Sequence, residues 1–176
     1  MASDSALMAR ARGIRLLTCD VDGVLTDGRI YVGPDGDEYK AFSVLDGVGL
    51  KRIAEIGIVV AWISGSKAEA IVHRARSLGI ARVELGVEDK LGPWERLRAE
   101  LALEPAHCAH IGDDLSDVPV LARCGLAATV PHAPSEVQAS AHWVTTREGG
   151  AGAVREVCDL LLAAQDAPQR LAISGA

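Results

Sequence analysis

The sequence of 176 residues has few aromatic residues, no cluster of basic residues and no long apolar run. Because only 3% of its residues are aromatic, it offers no series of rings on which nucleic-acid bases could stack. The net charge is −6 and the arginines are scattered, which argues against a nucleic-acid partner. No apolar run approaches the roughly 20 residues of a membrane span. We therefore expect a globular protein with neither nucleic acid nor membrane as a partner.

Signatures of disulfides and structural zinc are missing as well. The four cysteines, Cys19, Cys108, Cys124 and Cys158, lie far apart, and none forms a Cys-x-x-Cys pair. Each follows or lies in an apolar segment, which favours buried free thiols. The first residues also lack the basic-then-apolar order of a signal peptide, so we expect a cytoplasmic protein.

Short apolar segments alternate with helical patterns along the chain. Predicted strands cover residues 14–19, 58–63, 81–85, 107–111 and 126–130, with one more near Trp143. This alternation predicts a single α/β domain over residues 1–176, with a Rossmann-like, mainly parallel sheet and helices on both faces. The last predicted helix covers about 152–164, and the tail 165–176 is predicted to be loose.

Residues 28–44 interrupt the alternation immediately after the first strand. Ile30 and Val32 alternate with polar neighbours, as do Phe42 and Val44, and a Gly-Pro-Asp-Gly turn at 33–36 separates the two stretches. This pattern predicts an inserted β-hairpin that overhangs the end of the first strand. Because an isolated hairpin is marginal in water, it must pack on neighbouring subunits or on its own subunit.

Two carboxylates, Asp20 and Asp22, follow the first apolar strand. Side chains alternate along an extended chain, so these two can point the same way while Val21 points into the core. Ligand sites of open α/β sheets lie beyond the carboxyl ends of the strands. Hard oxygen ligands suit Mg²⁺, although an Asp-x-Asp pair after a strand can also be only a turn.

Other strand ends carry complementary groups. Ser64 follows the second strand of the predicted sheet, at the start of a helix where anions bind well. Lys90 lies at the start of the third helix, where, taken alone, it fits a solvated lysine better than a site residue. A second acidic cluster, Asp113, Asp114 and Asp117, follows the fourth strand. Together these groups predict a site for a metal ion and a phosphoryl group.

The ordered set of Asp-x-Asp, Ser, Lys and Gly-Asp-Asp-x-x-Asp resembles the haloacid dehalogenase superfamily of phosphatases over about residues 14–164. The stretches at 20–28, 42–49, 63–65, 112–117 and 148–156 resemble, more closely, the capless phosphatases of 3-deoxy-D-manno-octulosonate 8-phosphate. The sister group acting on nine-carbon sialic-type acid 9-phosphates, free or fused to a cytidylyltransferase, is similar. The resemblance implies a Mg²⁺-dependent phosphomonoesterase of a sugar-acid phosphate and a homotetramer.

The resemblance also implies roles for individual residues. Asp20 would attack phosphorus to form an aspartyl-phosphate, and Asp22 would act as general acid and then as general base. Mg²⁺ would be held by the Asp20 carboxylate, the Asp22 backbone carbonyl and Asp113. The phosphate would contact Ser64, Gly65 and Lys90.

The remaining residues carried over by the resemblance have supporting or open roles. Asp114 and Asp117 would orient the metal ligand and the lysine. Asp46 and Gly47 would face the substrate, although Asp46 fits a helix N-cap about equally well.

The sequence departs from the family pattern at Ser66, where arginine is frequent, and at Leu45 and Val48, where polar residues are frequent. These departures leave the identity of the sugar open, whereas the predicted phosphoryl chemistry is unaffected.

Two other classes remain open at this stage. A phosphoacceptor receiver domain is also α/β with acidic residues and a lysine, but it places the acceptor Asp on a middle strand. A non-catalytic relative serving only for oligomerisation would have no need to retain Asp20, Asp22, Ser64, Lys90 and Asp113.

Overall fold

The computed structural model describes the backbone of residues 4–173 and the side-chain environments of residues 5–165. Its centre is a six-stranded sheet in which every neighbouring pair is parallel, in the order β5-β4-β1-β6-β7-β8. The strands of this sheet are β1 (Leu16–Cys19), β4 (Val59–Ser64), β5 (Arg82–Leu85), β6 (Cys108–Ile111), β7 (Leu126–Thr129) and β8 (Trp143–Val144). The predicted parallel α/β architecture is confirmed.

The helices that flank the sheet are α1 (Asp4–Arg12), α2 (Val44–Glu55), α3 (Glu69–Leu78), α4 (Leu91–Glu100), α5 (Val118–Leu121), α6 (Ser135–Ser140) and α7 (Ala153–Ile173). Helix α7 packs against α1 and α2, and α5 packs against α4 and α6. The indoles of Trp62 and Trp94 are fully buried in the core. All four cysteines are buried and free, as predicted. No helix in the described part of the chain is long and apolar enough to cross a membrane.

The inserted hairpin is present, but its second arm lies earlier than predicted. Strands β2 (Tyr31–Val32) and β3 (Glu38–Tyr39) pair antiparallel and form a separate small sheet. Phe42 lies beyond β3 and is not on the hairpin. Its ring instead stacks on Trp62, with the centroids 6.0 Å apart. Val44 is the first residue of α2. The alternation at residues 41–44 therefore reflects a segment that anchors the hairpin to the core.

The backbone of residues 165–173 continues α7, in the stretch where the sequence predicts a loose tail. Residues 174–176 of the predicted tail lie outside the described residues.

A glycine loop before α7 supports the turn that follows β1. Gly150 donates its backbone N–H to the Val24 carbonyl, at 3.0 Å. A methyl group on Gly149 would overlap the Gly23 carbonyl oxygen, so only glycine fits there. The loop at 148–152 thereby fixes the turn that carries the two carboxylates predicted to be catalytic.

This contact predicts that Gly149→Ala lowers the free energy of unfolding, by about 1–3 kcal/mol, because overpacking forces the two loops apart. Urea unfolding measures the change. Gly92→Ala is the control, since a methyl group there meets its nearest atom at 3.6 Å and lies within α4. A Gly149 variant as stable as the Gly92 variant would contradict the close packing.

Candidate active site

Three neighbouring strands end at the same edge of the sheet. Because β1 lies between β4 and β6, the residues that end or follow these strands meet there: Asp20, Ser64 and Asp113. A cavity of about 410 Å³ opens at this edge. Its lining includes Asp20, Asp22, Ser64, Gly65, Ser66, Lys90, Asp113 and Asp114. The fold therefore brings most of the predicted site residues together.

The Asp20 carboxylate is fixed by the turn that follows β1. Its Oδ1 accepts the backbone N–H of Val21 at 2.7 Å, and its Oδ2 lies 2.9 Å from Lys90 Nζ. The Val21 side chain is fully buried, as the alternation predicts. Burial, followed by the charge of Asp117, raises the pKa of Asp20 above its usual value.

Lys90 joins two acidic groups rather than lying in solvent. The residue is only 3% exposed, and its Nζ lies 2.8 Å from Asp117 Oδ1 as well as 2.9 Å from Asp20 Oδ2. Burial alone would lower the pKa of Lys90, but the charges of Asp20 and Asp117 raise it above its usual value. Lys90 is thus a fixed positive charge at the floor of the site.

Asp117 is fully buried and both of its oxygens have donors. Oδ1 contacts Lys90 Nζ and His110 Nε2, each at 2.8 Å, and Oδ2 accepts the Asp114 backbone N–H at 3.2 Å. Burial alone would raise the pKa of Asp117, but the hydrogen bond and charge of His110 and of Lys90 hold it below its usual value. These contacts suit a residue that orients its neighbours.

Asp113 has an oxygen without a partner. Its Oδ1 is buried and has no hydrogen-bond partner among the described residues, and its Oδ2 lies 3.7 Å from His132 Nε2. Burial and the charge of Asp20 raise the pKa of Asp113 to about 8. Carboxylate oxygens of Asp20, Asp113 and Asp117 all lie within 4.8 Å of one another. A divalent cation would satisfy the orphaned oxygen and offset the repulsion, so the donor set fits Mg²⁺.

Asp22 faces the same cavity with a partner that the sequence did not reveal. Its Oδ1 lies 2.6 Å from Nζ of Lys40, whose side chain is 1% exposed. Lys40 follows β3, so the hairpin insertion delivers a cation to the site. The only signal in the sequence is that Lys40 lies within residues 28–44, the hairpin that is predicted to overhang the site.

Two predicted substrate-side residues do not line the cavity. Asp46 is 1% exposed, and its Oδ1 accepts the backbone N–H of Arg155 at 2.7 Å. Asp46 thus binds the first turn of α7, whereas α2 has Ser43 as its own N-cap. A methyl group on Gly47 would lie 2.6 Å from Arg74 Nη2. We therefore assign Asp46 and Gly47 to packing between helices, in place of substrate contact.

Comparison with known proteins identifies the family. A model described as haloacid dehalogenase-like hydrolase matches residues 89–156. The 3-deoxy-D-manno-octulosonate 8-phosphate phosphatase of Yersinia pestis is 49% identical over 160 residues, covering 91% of this chain and 86% of the relative. The chain belongs to this phosphatase family. The enzyme of the same description from Escherichia coli K12 is 46% identical over 159 residues, covering 90% of this chain and 85% of the relative.

Solved structures of the family share the fold. The crystal structure from Yersinia pestis superposes with a TM-score of 0.90 at 48% identity, covering 92% of this chain and 87% of that chain. The structure from Moraxella catarrhalis, in complex with magnesium ion, phosphate ion and KDO, has a TM-score of 0.90 at 39% identity. It covers 97% of this chain and 98% of that chain. Membership in the family excludes the receiver-domain alternative and confirms the predicted magnesium phosphatase class.

The buried Asp46 predicts a pH dependence of stability. Burial raises its pKa from 3.8 to about 6, so folding takes up a proton between these values. Its contribution to the free energy of unfolding should therefore fall as the pH rises from about 4 to 6, by up to about 3 kcal/mol. Asp46→Asn, which keeps an acceptor for Arg155, should remove this fall. Urea unfolding from pH 4 to 7 measures it.

Asp35→Asn in the hairpin turn is the control for losing one exposed carboxylate. Asp46→Ala, which also removes the acceptor, should be about 1 kcal/mol less stable than Asp46→Asn. The same pH dependence in wild type and Asp46→Asn would show that the buried carboxyl does not take up a proton on folding.

Proposed function

We propose that this protein hydrolyses 3-deoxy-D-manno-octulosonate 8-phosphate to the free sugar acid and inorganic phosphate, with Mg²⁺ as cofactor. The observation that carries the proposal is Lys90, held between Asp20 and Asp117 beside the unpaired Asp113 oxygen. This set offers a carboxylate that can attack phosphorus, a positive charge that can balance the phosphoryl oxygens, and an oxygen that can bind the metal. The identity of the substrate is inferred from the relatives described above, which are up to 49% identical over most of the chain.

Asp20 is the nucleophile in this proposal. One carboxylate oxygen forms a bond to phosphorus while the bond from phosphorus to the sugar oxygen breaks, which gives an aspartyl-phosphate. The hydrogen bond from Val21 N–H and the contact with Lys90 fix the plane of the carboxylate before attack. Preorganisation of this kind lowers the barrier because the reacting atoms need no rearrangement.

Asp22 moves the protons. It gives a proton to the departing sugar oxygen, then takes one from the water that hydrolyses the aspartyl-phosphate. Its partner Lys40, at 2.6 Å, orients the carboxyl group and balances the charge of its ionised form, which takes the proton from the water. Because Lys40 comes from the hairpin, the insertion contributes to the chemistry as well as to the walls of the site.

The metal ligands are the carboxylates of Asp20 and Asp113 and the backbone carbonyl of Asp22. Asp117 is less suited, since its two oxygens already accept from Lys90, His110 and the backbone of Asp114. When bound, Mg²⁺ neutralises charge on the phosphoryl oxygens and on the nucleophile.

The phosphate group is held from the side of β4. Ser64 Oγ accepts the backbone N–H of Ser66 at 3.1 Å, so its hydroxyl hydrogen is available to a phosphate oxygen. The backbone amide of Gly65 and the Lys90 ammonium complete the contacts. Donors at the end of a strand are rigid, which suits a charge that develops only in the transition state.

The decisive experiment is a panel of sugar phosphates ranked by kcat/KM in the presence of Mg²⁺. The octulosonate 8-phosphate should rank first and EDTA should abolish its hydrolysis. A nine-carbon acid 9-phosphate ranking first would favour the sister group, with a cytidylyltransferase as partner. Failure to release phosphate from every member of the panel, with Mg²⁺ present, would favour the non-catalytic alternative.

Asp20→Asn should lower kcat by several decades while the protein stays folded, because an amide cannot form the acyl phosphate. Asp27→Asn, a change in the same turn at a more exposed carboxylate, is the matched control and should retain activity. Residual activity of the Asp20 variant above about a tenth of wild type, or about 1.4 kcal/mol, would contradict its role as nucleophile.

We further propose that the hairpin assembles the protein into a closed homo-oligomer, most simply a tetramer. Ile30, Val32 and Tyr39 are 61%, 68% and 60% exposed, although they lie on or beside a two-stranded sheet that is too small to be stable alone. Their own subunit leaves them uncovered, and a neighbouring copy would bury them. The same contact would help enclose the open cavity of that neighbour.

Val32→Asp should produce smaller particles in light scattering, because a charge in the contact costs more than the contact gains. Val72→Asp is the control, since Val72 is an exposed apolar residue of α3 and lines a cavity that includes no residue of the hairpin. Replacing residues 31–39 by Gly-Gly should in addition reduce selectivity among sugar phosphates. A fully active wild-type monomer at micromolar concentration would refute the assembly.

A further inference from the structure

A polar pair lies inside the sheet, where apolar residues are expected. Thr18 of β1 and His110 of β6 are cross-strand partners, and both are fully buried. Thr18 Oγ1 lies 2.8 Å from His110 Nδ1, and the opposite ring nitrogen, Nε2, lies 2.8 Å from Asp117 Oδ1. Burial of an imidazole is costly unless both nitrogens find partners, and here both do.

These contacts close into a ring of side chains around the nucleophile. From Asp117 the ring continues to Lys90 at 2.8 Å and from Lys90 to Asp20 at 2.9 Å. Asp20 lies two residues after Thr18, so the backbone of β1 closes the circuit. We call this set of Thr18, His110, Asp117, Lys90 and Asp20 the β1–β6 ring.

The position of one proton follows from these contacts. Asp117 Oδ1 already accepts from Lys90, and an ionised carboxylate has no proton to give, so the hydrogen between Asp117 and His110 belongs to Nε2. The Thr18 hydroxyl can donate to Nδ1 at 2.8 Å or to the Ala109 carbonyl at 3.1 Å. In either arrangement Nε2 carries a hydrogen and donates it to Asp117.

We propose that His110 is a positioning residue for the phosphoryl-transfer step: its Nε2–H holds Asp117, and Asp117 in turn holds Lys90 against Asp20. This inference rests on the proposed function, because it assigns Asp20 as the nucleophile. His110 does not line the cavity, so it acts only through its neighbours.

Loss of the His110 Nε2–H donor would change the position of the Lys90 ammonium. Asp117 Oδ1 would keep Lys90 as its only side-chain partner, so the ammonium would move towards Asp117 and away from Asp20. The nucleophile would lose the contact that fixes its Oδ2. Ser64 and the Gly65 amide, which also hold the phosphate, are not part of the β1–β6 ring, so kcat should change more than KM.

The test compares His110→Gln with His110→Phe, using hydrolysis of p-nitrophenyl phosphate with Mg²⁺. Glutamine places an amide N–H near the position of Nε2, whereas phenylalanine keeps the ring without a donor. The phenylalanine variant should lose roughly 10- to 100-fold in kcat, the scale of a hydrogen bond to a charged group. The glutamine variant should stay within about 3-fold of wild type, with KM little changed in both. His142→Phe, a histidine that bonds the Ala127 backbone away from the site, is the control for ring substitution.

A measurement on the unmodified protein keeps the inference testable if the phenylalanine variant fails to fold. Nitrogen-15 NMR of the wild type should find a proton on Nε2 of His110, coupled across a hydrogen bond. An unprotonated Nε2, a phenylalanine variant within 3-fold of wild type, or a glutamine variant as impaired as phenylalanine would each overturn the proposal. Failure on the sugar phosphates alone would affect only the proposed substrate, because these readouts do not use them.

Discussion

One buried ammonium holds the site together. Lys90 contacts Asp20 and Asp117, while Asp113 adds a third carboxylate nearby. A single positive charge cannot balance three negative ones in a place with little water, because charge interactions there are several-fold stronger than in solvent. Burial and the remaining repulsion from Asp20 raise the pKa of Asp113, and one of its buried oxygens has no hydrogen-bond partner in the described part of the chain. The negative charges of the site thus exceed its positive charge, and a divalent cation would balance them.

Most of the fold and the outline of the site follow from local patterns. Apolar runs that end in turn residues predict the strands, and parallel strands bring their carboxyl ends together, so Asp20, Ser64 and Asp113 could be expected to meet. Lys40, His110 and Asp46 could not be assigned in this way. Their partners lie 18, 7 and 109 residues away in the chain, on elements whose approach depends on packing. His110 is hidden further by its place in an apolar strand, where a histidine gives no periodic signal.

The predictions for the second arm of the hairpin and for Asp46 differ from the structure for the same physical reason. An alternating pattern at 41–44 fits a strand, but Phe42 stacks on Trp62 and lies outside the two short strands of the hairpin. Asp46 fits an N-cap, and its carboxylate does bind a helix N-terminus, but that helix is α7 rather than its own. In both cases the residue type indicates the kind of interaction, and tertiary contacts choose the partner.

In the proposed mechanism, phosphoryl chemistry and sugar selectivity depend on different parts of the structure. The groups proposed to act on phosphorus lie at strand ends within one chain, and Asp20, Ser64, Lys90 and Asp117 among them are buried. Leu45 and Val48, by contrast, are exposed on α2, and Ser66 lines the open side of the cavity. Changes at these positions leave the β1–β6 ring intact, since none of them contacts it. Selectivity in this family can therefore change at the rim and in the hairpin while the strand ends keep the same reaction.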